Sequence, residues 1–227
     1  MLRLIVFASL LILSQDAFAQ SSIGVSGNFF FEDSDLSGEQ QVSVQTNDES
    51  FAYVADDFLN ATLYYLQPFK ESGRIGGALT YYGDHIAEIP QEGDEDPEYY
   101  DFGHLIELVV RAEWLIGVTE SIDLIAGAQA GIPILFPGGD FQDEIDDLKD
   151  QQASVWDLPR TGFVVGPLLS ARYKYHDSLY FRADIGIKYE KIFLFNTTEE
   201  VQGVPFRKDW TLTTVRTEIG LALEVDL

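Results

Sequence analysis

The 227-residue sequence contains no cysteine and one methionine, and only 14 Lys and Arg stand against 38 Asp and Glu. Each scarcity removes a class of protein. Without cysteine there is neither a disulfide framework nor a thiolate zinc site. A formal charge of −24 leaves no basic face for nucleic acid, so no nucleic-acid partner is expected. Beyond Leu13 there is no run of about 18 apolar residues, the length a transmembrane helix needs. The best candidate, Ile125 to Pro137, is broken by Gln129, Gly131 and Pro133. What is abundant argues against disorder: 46% of residues are apolar, including 16 Phe, 11 Tyr and 3 Trp, enough to offset the entropy of ordering the chain.

The amino terminus reads as an address. Arg3 supplies a positive region, Leu4 to Leu13 is an apolar run too short to span a bilayer, and Ala17-Phe18-Ala19 fits the small-x-small rule for signal peptidase. Residues 1–19 are therefore expected to be a signal peptide and residues 20–227 one exported domain. A chain free of cysteine suits export without disulfide chemistry.

The mature sequence alternates. Val215, Ile219, Leu221, Leu223, Val225 and Leu227 take odd positions while Arg216, Glu218, Gly220, Ala222, Glu224 and Asp226 take even ones, the period of two that marks a β-strand. Phe181, Ala183, Ile185, Ile187 and Tyr189 alternate in the same way with Arg182, Asp184, Gly186, Lys188 and Glu190. Similar stripes at 23–31, 59–65, 75–81, 106–118, 122–134 and 163–175 bring the expectation to eight strands. Their connections alternate between long (32–57, 84–101, 138–160 and 196–209) and short (67–74, 119–123 and 175–178). That rhythm is expected of an up-and-down barrel with long loops on one side of a membrane. The four long connections carry 26 acidic and 4 basic residues, so the acidity is read as a property of extracellular loops.

With its signal peptide, its dyad pattern and a last strand, Thr217 to Leu227, that ends the polypeptide, the chain resembles the small eight-stranded bacterial outer-membrane β-barrels of the OmpX, OmpW and OmpA-barrel type. The resemblance covers Ile23 to Leu227. It implies an all-β, antiparallel transmembrane barrel in the bacterial outer membrane, with outer-membrane lipid and lipopolysaccharide around it and the barrel-assembly machinery as its partner in biogenesis. The residue which that machinery reads is usually aromatic in this family, and here it is Leu227.

Parity places Glu107, Arg111, Glu113, Arg172, Lys174, Arg182, Asp184, Lys188, Glu190, Arg216, Glu218 and Glu224 on one face, six basic and six acidic. Facing one another across a narrow lumen these charges would form a paired network. On a secreted soluble barrel such as a lipocalin the same stripe would be the wet exterior, and alternation alone does not say which. Aromatic placement favours a membrane, with Phe29, Phe31, Tyr81, Phe102, Phe136, Phe163 and Trp210 near the long connections and Tyr65, Tyr173, Tyr175 and Phe181 near the short ones.

Other features carry less. Asp94, Glu95, Asp96 and Glu98 are a candidate site for weak divalent-cation binding, with Asp143, Asp146, Asp147 and Asp150 contributing, although the glycine and terminal glutamate of a calcium loop are missing and Pro97 interrupts the run. A mobile, solvated acidic loop is the blander reading. No other cofactor is expected. Asp140 is a candidate cap for a short helix with Phe141, Ile145, Leu148 and Val155 at helical spacing, expected to cover the barrel rim. Of His85, His104 and His176, none stands in a recognisable nucleophile motif, so no catalytic residue is assigned. The expected role is structural or surface-interacting, with a narrow solute channel or a lipid-modifying enzyme as alternatives.

Overall fold

The computed structural model describes residues 21–55, 58–69, 73–89, 98–117, 121–156, 158–201 and 203–227. The segment read as a signal peptide lies outside these, as do Asp94, Glu95 and Asp96. The strands are β1 (Ser22–Val42), β2 (Gln45–Ala55), β3 (Leu59–Phe69), β4 (Gly73–Ile89), β5 (Glu98–Gly117), β6 (Ile122–Pro137), β7 (Arg160–His176), β8 (Leu179–Val201) and β9 (Val204–Asp226), and one helix, α1 (Gly139–Asp150), lies between β6 and β7. Every neighbouring pair is antiparallel, and β9 pairs back onto β1 from Ser22↔Asp226 to Val42↔Phe206. The sheet therefore closes on itself, so its strand edges satisfy one another. No helix among the described residues is long and apolar enough to cross a membrane.

Nine strands make eight staves because β2 and β3 share one. Both pair with β1 and with β4, β2 along their outer halves and β3 along their inner halves. Between the pairs Ser34↔Tyr53 and Phe29↔Leu59 the sequence has four residues on the β1 side, 30–33, and five on the other, 54–58. An extra residue changes which parity points inward: Asn60, Thr62 and Tyr64 face the interior from β3, and Tyr53 does so from β2.

The long acidic loops are not loops for most of their length. Residues 32–42 form the far half of β1 and residues 45–55 form β2, with a turn at Ser43 where φ is 62°, and residues 196–201 and 204–209 continue β8 and β9 into a second hairpin. Residues 84–89 and 98–101 extend β4 and β5, so Glu98 opens β5 opposite Ile89. The acidic side chains disguise these strands because they stand on the outward face: Asp33 and Asp35 are exposed at positions that continue the row of Phe29 and Phe31. Residues 139–150 are helical, and Phe141, Ile145 and Leu148 are the face that α1 buries. Asp140 is not its cap. Gly138 holds the N-cap position without a side-chain bond, and Asp140 instead accepts from the Asp101 backbone N–H at 2.8 Å, tying the first turn of α1 to β5.

Gly103 shows how tightly α1's approach is fixed. It has φ +100°, and a Cβ there would lie 2.2 Å from the Phe136 carbonyl oxygen and 2.5 Å from Gly138 N. Its N–H donates to Asp101 Oδ1 at 2.8 Å. Gly103→Ala is expected to destabilise the folded barrel by about 1–3 kcal/mol, read as a lower urea midpoint for the protein refolded in lipid vesicles. A midpoint equal to wild type would show that this junction is not under steric constraint.

Candidate functional site: the lumen and the far mouth

Ser21 and Leu227 meet at one rim, the terminal rim, where Leu227 N donates to Ser21 O at 2.7 Å and Asp226 N to Ser178 O at 2.9 Å. From this terminal rim upward the staves alternate without exception on β9: Val215, Ile219, Leu221, Leu223 and Val225 point out and are exposed, while Thr214, Arg216, Glu218, Ala222 and Glu224 point in and are buried. Leu221 is 73% exposed, whereas Arg216 and Glu224 are 0% exposed. A barrel that buries its charges and exposes Leu, Ile, Val and Phe all the way round is inside-out for water and right for hydrocarbon. The chain is a transmembrane β-barrel. A lipocalin-like exterior is ruled out by the same observation, since the polar stripe is the buried one.

This transmembrane barrel has exposed rings at both borders of its apolar band. Phe29, Phe31, Tyr81, Phe136 and Phe163 face outward on the far side, joined by Phe58, which stacks on Phe29 at 6.2 Å, and by Tyr189, 5.9 Å from Phe163. Tyr173, Tyr175 and Phe181 face outward near the terminal rim. Phe102 and Trp210 do not belong to the far belt. Phe102 is 2% exposed and Trp210 half-buried, both in the interior of the far mouth.

Inside, the charges fall into two storeys. In the lower one Glu224 is the hub: Arg74 Nη1 reaches its Oε1 at 2.5 Å, Arg172 Nη1 at 2.7 Å, Arg182 Nη1 reaches Oε2 at 3.3 Å, and the Tyr64 hydroxyl donates to Oε2 at 3.0 Å. Arg182 also grips Glu113 at 2.7 Å and Asp184 at 2.6 Å, and Arg74 shares Glu113 at 2.7 Å. In the upper storey Arg216 bonds Glu32 at 2.8 Å and Glu107 at 2.9 Å, with Glu190 at 3.4 Å. Lys188 bonds Glu107 at 2.6 Å and Glu218 at 3.0 Å, and the Tyr82 hydroxyl lies within bonding distance of both carboxylates, at 2.8 and 2.6 Å. Between the storeys Asn28 donates to Asn60 and Thr62, Asn60 to Glu218, and Thr62 meets Thr80. The bore is thus crossed by ion pairs in both storeys.

Of the twelve residues grouped by parity, eleven are buried in this interior. Lys174 is the exception: its side chain is 39% exposed beside Asp177, 3.6 Å away at the terminal rim, where the β7–β8 turn frees it from the lumen. Arg111 is buried but loosely held, 3.9 Å from Glu113 and 5.1 Å from the Tyr64 ring centroid. Parity reasoning left out Arg74, assigned to a turn, and Glu32, assigned to a loop. It also left out Tyr64 and Tyr82, whose hydroxyls serve the network while their rings sit under Arg182 and Arg216, at 5.4 and 4.2 Å. The even parity of Ser22, Ser26, Asn28 and Glu32 on β1 was the signal that could have found Glu32.

Above Glu32 and Glu190 the interior changes character. Phe30, Tyr53, Tyr82, Phe102, Leu105, Leu135, Ile192, Leu194, Phe195 and Leu212 form an apolar core closed from above by Phe141, Ile145 and Leu148 of α1. Outside this level the wall becomes polar, so the polarity of the barrel reverses where the apolar band ends. That is what crossing from hydrocarbon into water demands. Burial and the neighbouring Glu144 carboxylate push the Tyr100 hydroxyl up, and it donates to Glu144 at 2.8 Å. On the helix surface Asp146 accepts from Gln142 and Lys149, which holds its carboxyl below the ordinary value.

The histidines do not assemble a nucleophile. His85 is buried, with Nε2 3.0 Å from the Tyr53 hydroxyl and 3.8 Å from Glu32. His104 sits exposed against Asp84 at 2.7 Å, and His176 ends β7 at the terminal rim. Among the described residues no group of three His, Asp or Glu could hold a metal ion.

No family model matches this sequence, and no curated protein does either. Solved structures with a similar course include Neisserial surface protein A, at 10% identity over 90% of this chain and 97% of that one with TM-score 0.43. The outer membrane protein OprG from Pseudomonas aeruginosa has 14% identity over 91% and 96%, TM-score 0.47. The outer membrane protease OmpT from Escherichia coli has 6% identity over 92% and 97%, TM-score 0.49.

The hub gives the lumen an asymmetric sensitivity. Glu224→Gln leaves three guanidinium groups facing one neutral amide, so the folded barrel should lose about 3–5 kcal/mol. Lys174→Gln breaks only an exposed pair and should cost less than about 1 kcal/mol. Urea unfolding in lipid vesicles measures both, and equal effects would mean that the lower storey is not the electrostatic centre of the bore.

Proposed function

We propose that this protein is a sealed, non-conducting barrel whose part beyond the far aromatic belt is a surface for interaction outside the cell. One observation carries this reading. The bore is spanned by two storeys of ion pairs and then stoppered by the apolar core under α1. Unpaired charges in so narrow an interior are costly, which favours the paired, closed arrangement over an open pore. A narrow channel would need a continuous wet path, and a lipid-modifying enzyme would need a nucleophile beside a base.

Planar-bilayer recording of the refolded protein tests the seal. Wild type is expected to show no steady conductance, and the double variant Arg182→Ala, Arg216→Ala is expected to show flickering openings because it removes the cations that hold both storeys together. Large, steady conductance through wild type, unchanged in the double variant, would overturn the sealed reading.

The surroundings follow from charge. Asp140, Asp143, Asp147 and Asp150 are exposed on α1, and Asp33 and Asp35 on β1. Such carboxylates repel the anionic lipopolysaccharide beside which the barrel would sit, and divalent cations relieve that repulsion by bridging carboxylate to phosphate more effectively than monovalent salt screens it. Calcium should slow proteolysis of the far side more than sodium at equal ionic strength. Neutralising Asp94, Glu95, Asp96 and Glu98 together with Asp143, Asp146, Asp147 and Asp150 should erase the difference. Equal protection by the two salts would reduce the acidic surface to a solvated one.

A further inference from the structure

The far mouth is not filled completely. Between α1 and the inner faces of β1, β2, β4, β5, β8 and β9 lies a cavity of about 520 Å³. Seven of its lining side chains are aromatic: Phe51, Tyr53, Tyr100, Phe102, Phe141, Phe195 and Trp210. Glu98, Glu144 and Lys208 are its charged members, so two carboxylates face one ammonium. Its floor is the apolar core, below which the ion-pair storeys close the bore.

The rings are held in place by close contacts with one another and with the strand backbone. The Trp210 indole lies across Gly38 of the paired strand, where a Cβ would meet indole carbons at 2.5 Å, and it stacks on Phe51 with centroids 6.2 Å apart and planes 12° from parallel. Tyr53 stacks on Phe102 at 5.9 Å, and Phe102 meets Tyr100 at 4.7 Å and Phe141 at 5.9 Å. One cation already lives in this box. Lys208, 6% exposed, places its ammonium 4.6 Å from the Phe195 ring centroid and pairs with Glu144, which the Tyr100 hydroxyl also holds.

We propose that this cavity is a binding site for a small organic cation, an aryl- or alkyl-substituted ammonium, and that Lys208 is its tethered competitor. Three features select this chemistry. The ring faces offer a negative quadrupole on several sides. The charge of the lining is negative even with Lys208 present. The acidic wall and helix around the mouth raise the local concentration of cations and lower that of anions. A hydrocarbon would fill the volume but gain nothing from the two carboxylates in its lining, and an anion would meet both of them. The inference goes beyond the sealed-barrel reading and does not depend on it, because the cavity opens above the closed part of the bore.

The test uses the refolded protein in nanodiscs of zwitterionic lipid, labelled with 5-fluorotryptophan, with empty nanodiscs as background. The probes are phenyltrimethylammonium, its neutral isostere tert-butylbenzene, and benzenesulfonate. Phenyltrimethylammonium should shift the fluorine resonance of Trp210, assigned by its loss in Trp210→Phe, in a saturable way and about tenfold more tightly than tert-butylbenzene. Benzenesulfonate should not compete. Lys208→Met should tighten phenyltrimethylammonium binding several-fold, and Glu144→Gln should weaken it. Phe51→Leu should also weaken it, while Lys208→Arg, which keeps the tethered charge, should leave it near wild type. Equal affinity for the cation and its isostere, a shift that does not saturate, or weaker binding in both Lys208→Met and Lys208→Arg would overturn the proposal. An unchanged seal in bilayer recording alongside such a failure would locate the error in the cavity and not in the barrel.

Discussion

The pairing of β1 with β9 is the constraint on which the rest depends. Hydrocarbon offers no hydrogen bonds, so a strand left with a free edge there would carry a row of unsatisfied amides and carbonyls, each costing several kcal/mol. Closing the ring removes that cost once, over the whole length of β1. Every other feature is then fixed relative to a closed wall: two faces, two rims, and an interior too narrow to remain empty.

Within that wall the sequence answers two solvents in succession. Where lipid surrounds the barrel, Leu, Ile, Val and Phe face out and the interior takes the charges, which hold each other at bonding distance. Where water surrounds it, Asp33 and Asp35 replace Phe29 and Phe31 in the outward row, and Phe102, Leu135 and Leu212 turn inward against α1. The far part is built like a soluble β-sheet curled around a helix, and the near part like its inverse. Packing energy in the one and paired electrostatics in the other thus share a single set of staves.

This reversal explains what could be read from residues alone. Parity was enough to group the interior charges, because between the belts the alternation of β5, β7, β8 and β9 is unbroken and the lipid-facing positions are uniformly apolar. It gave no access to the partners, since Glu224 meets Arg74, Arg172 and Arg182 from three different strands and the curl of the closed sheet decides that. Beyond the belts the same reasoning misled. A strand with carboxylates outside and few aliphatics inside reads as a loop, which is why 32–57 and 196–209 were expected to be irregular. Aromatics near the strand ends read as belt residues whether they face lipid, like Tyr81, or a cavity, like Trp210. Periodicity reports faces, and the meaning of a face depends on a solvent boundary that the sequence does not mark.

The single surplus residue between β2 and β3 acts like a frameshift in a code of faces. Everything on one side of it is read in one phase and everything on the other in the opposite phase. Without that residue, Phe51 and Tyr53 would be delivered to the exterior and Ala52 to the interior, although no side chain had been altered. The aromatic lining of the far mouth is therefore set by chain length at this junction as much as by residue identity. Relatives of this protein would be able to empty or fill the mouth by gaining or losing one amino acid there, leaving the ion pairs below untouched.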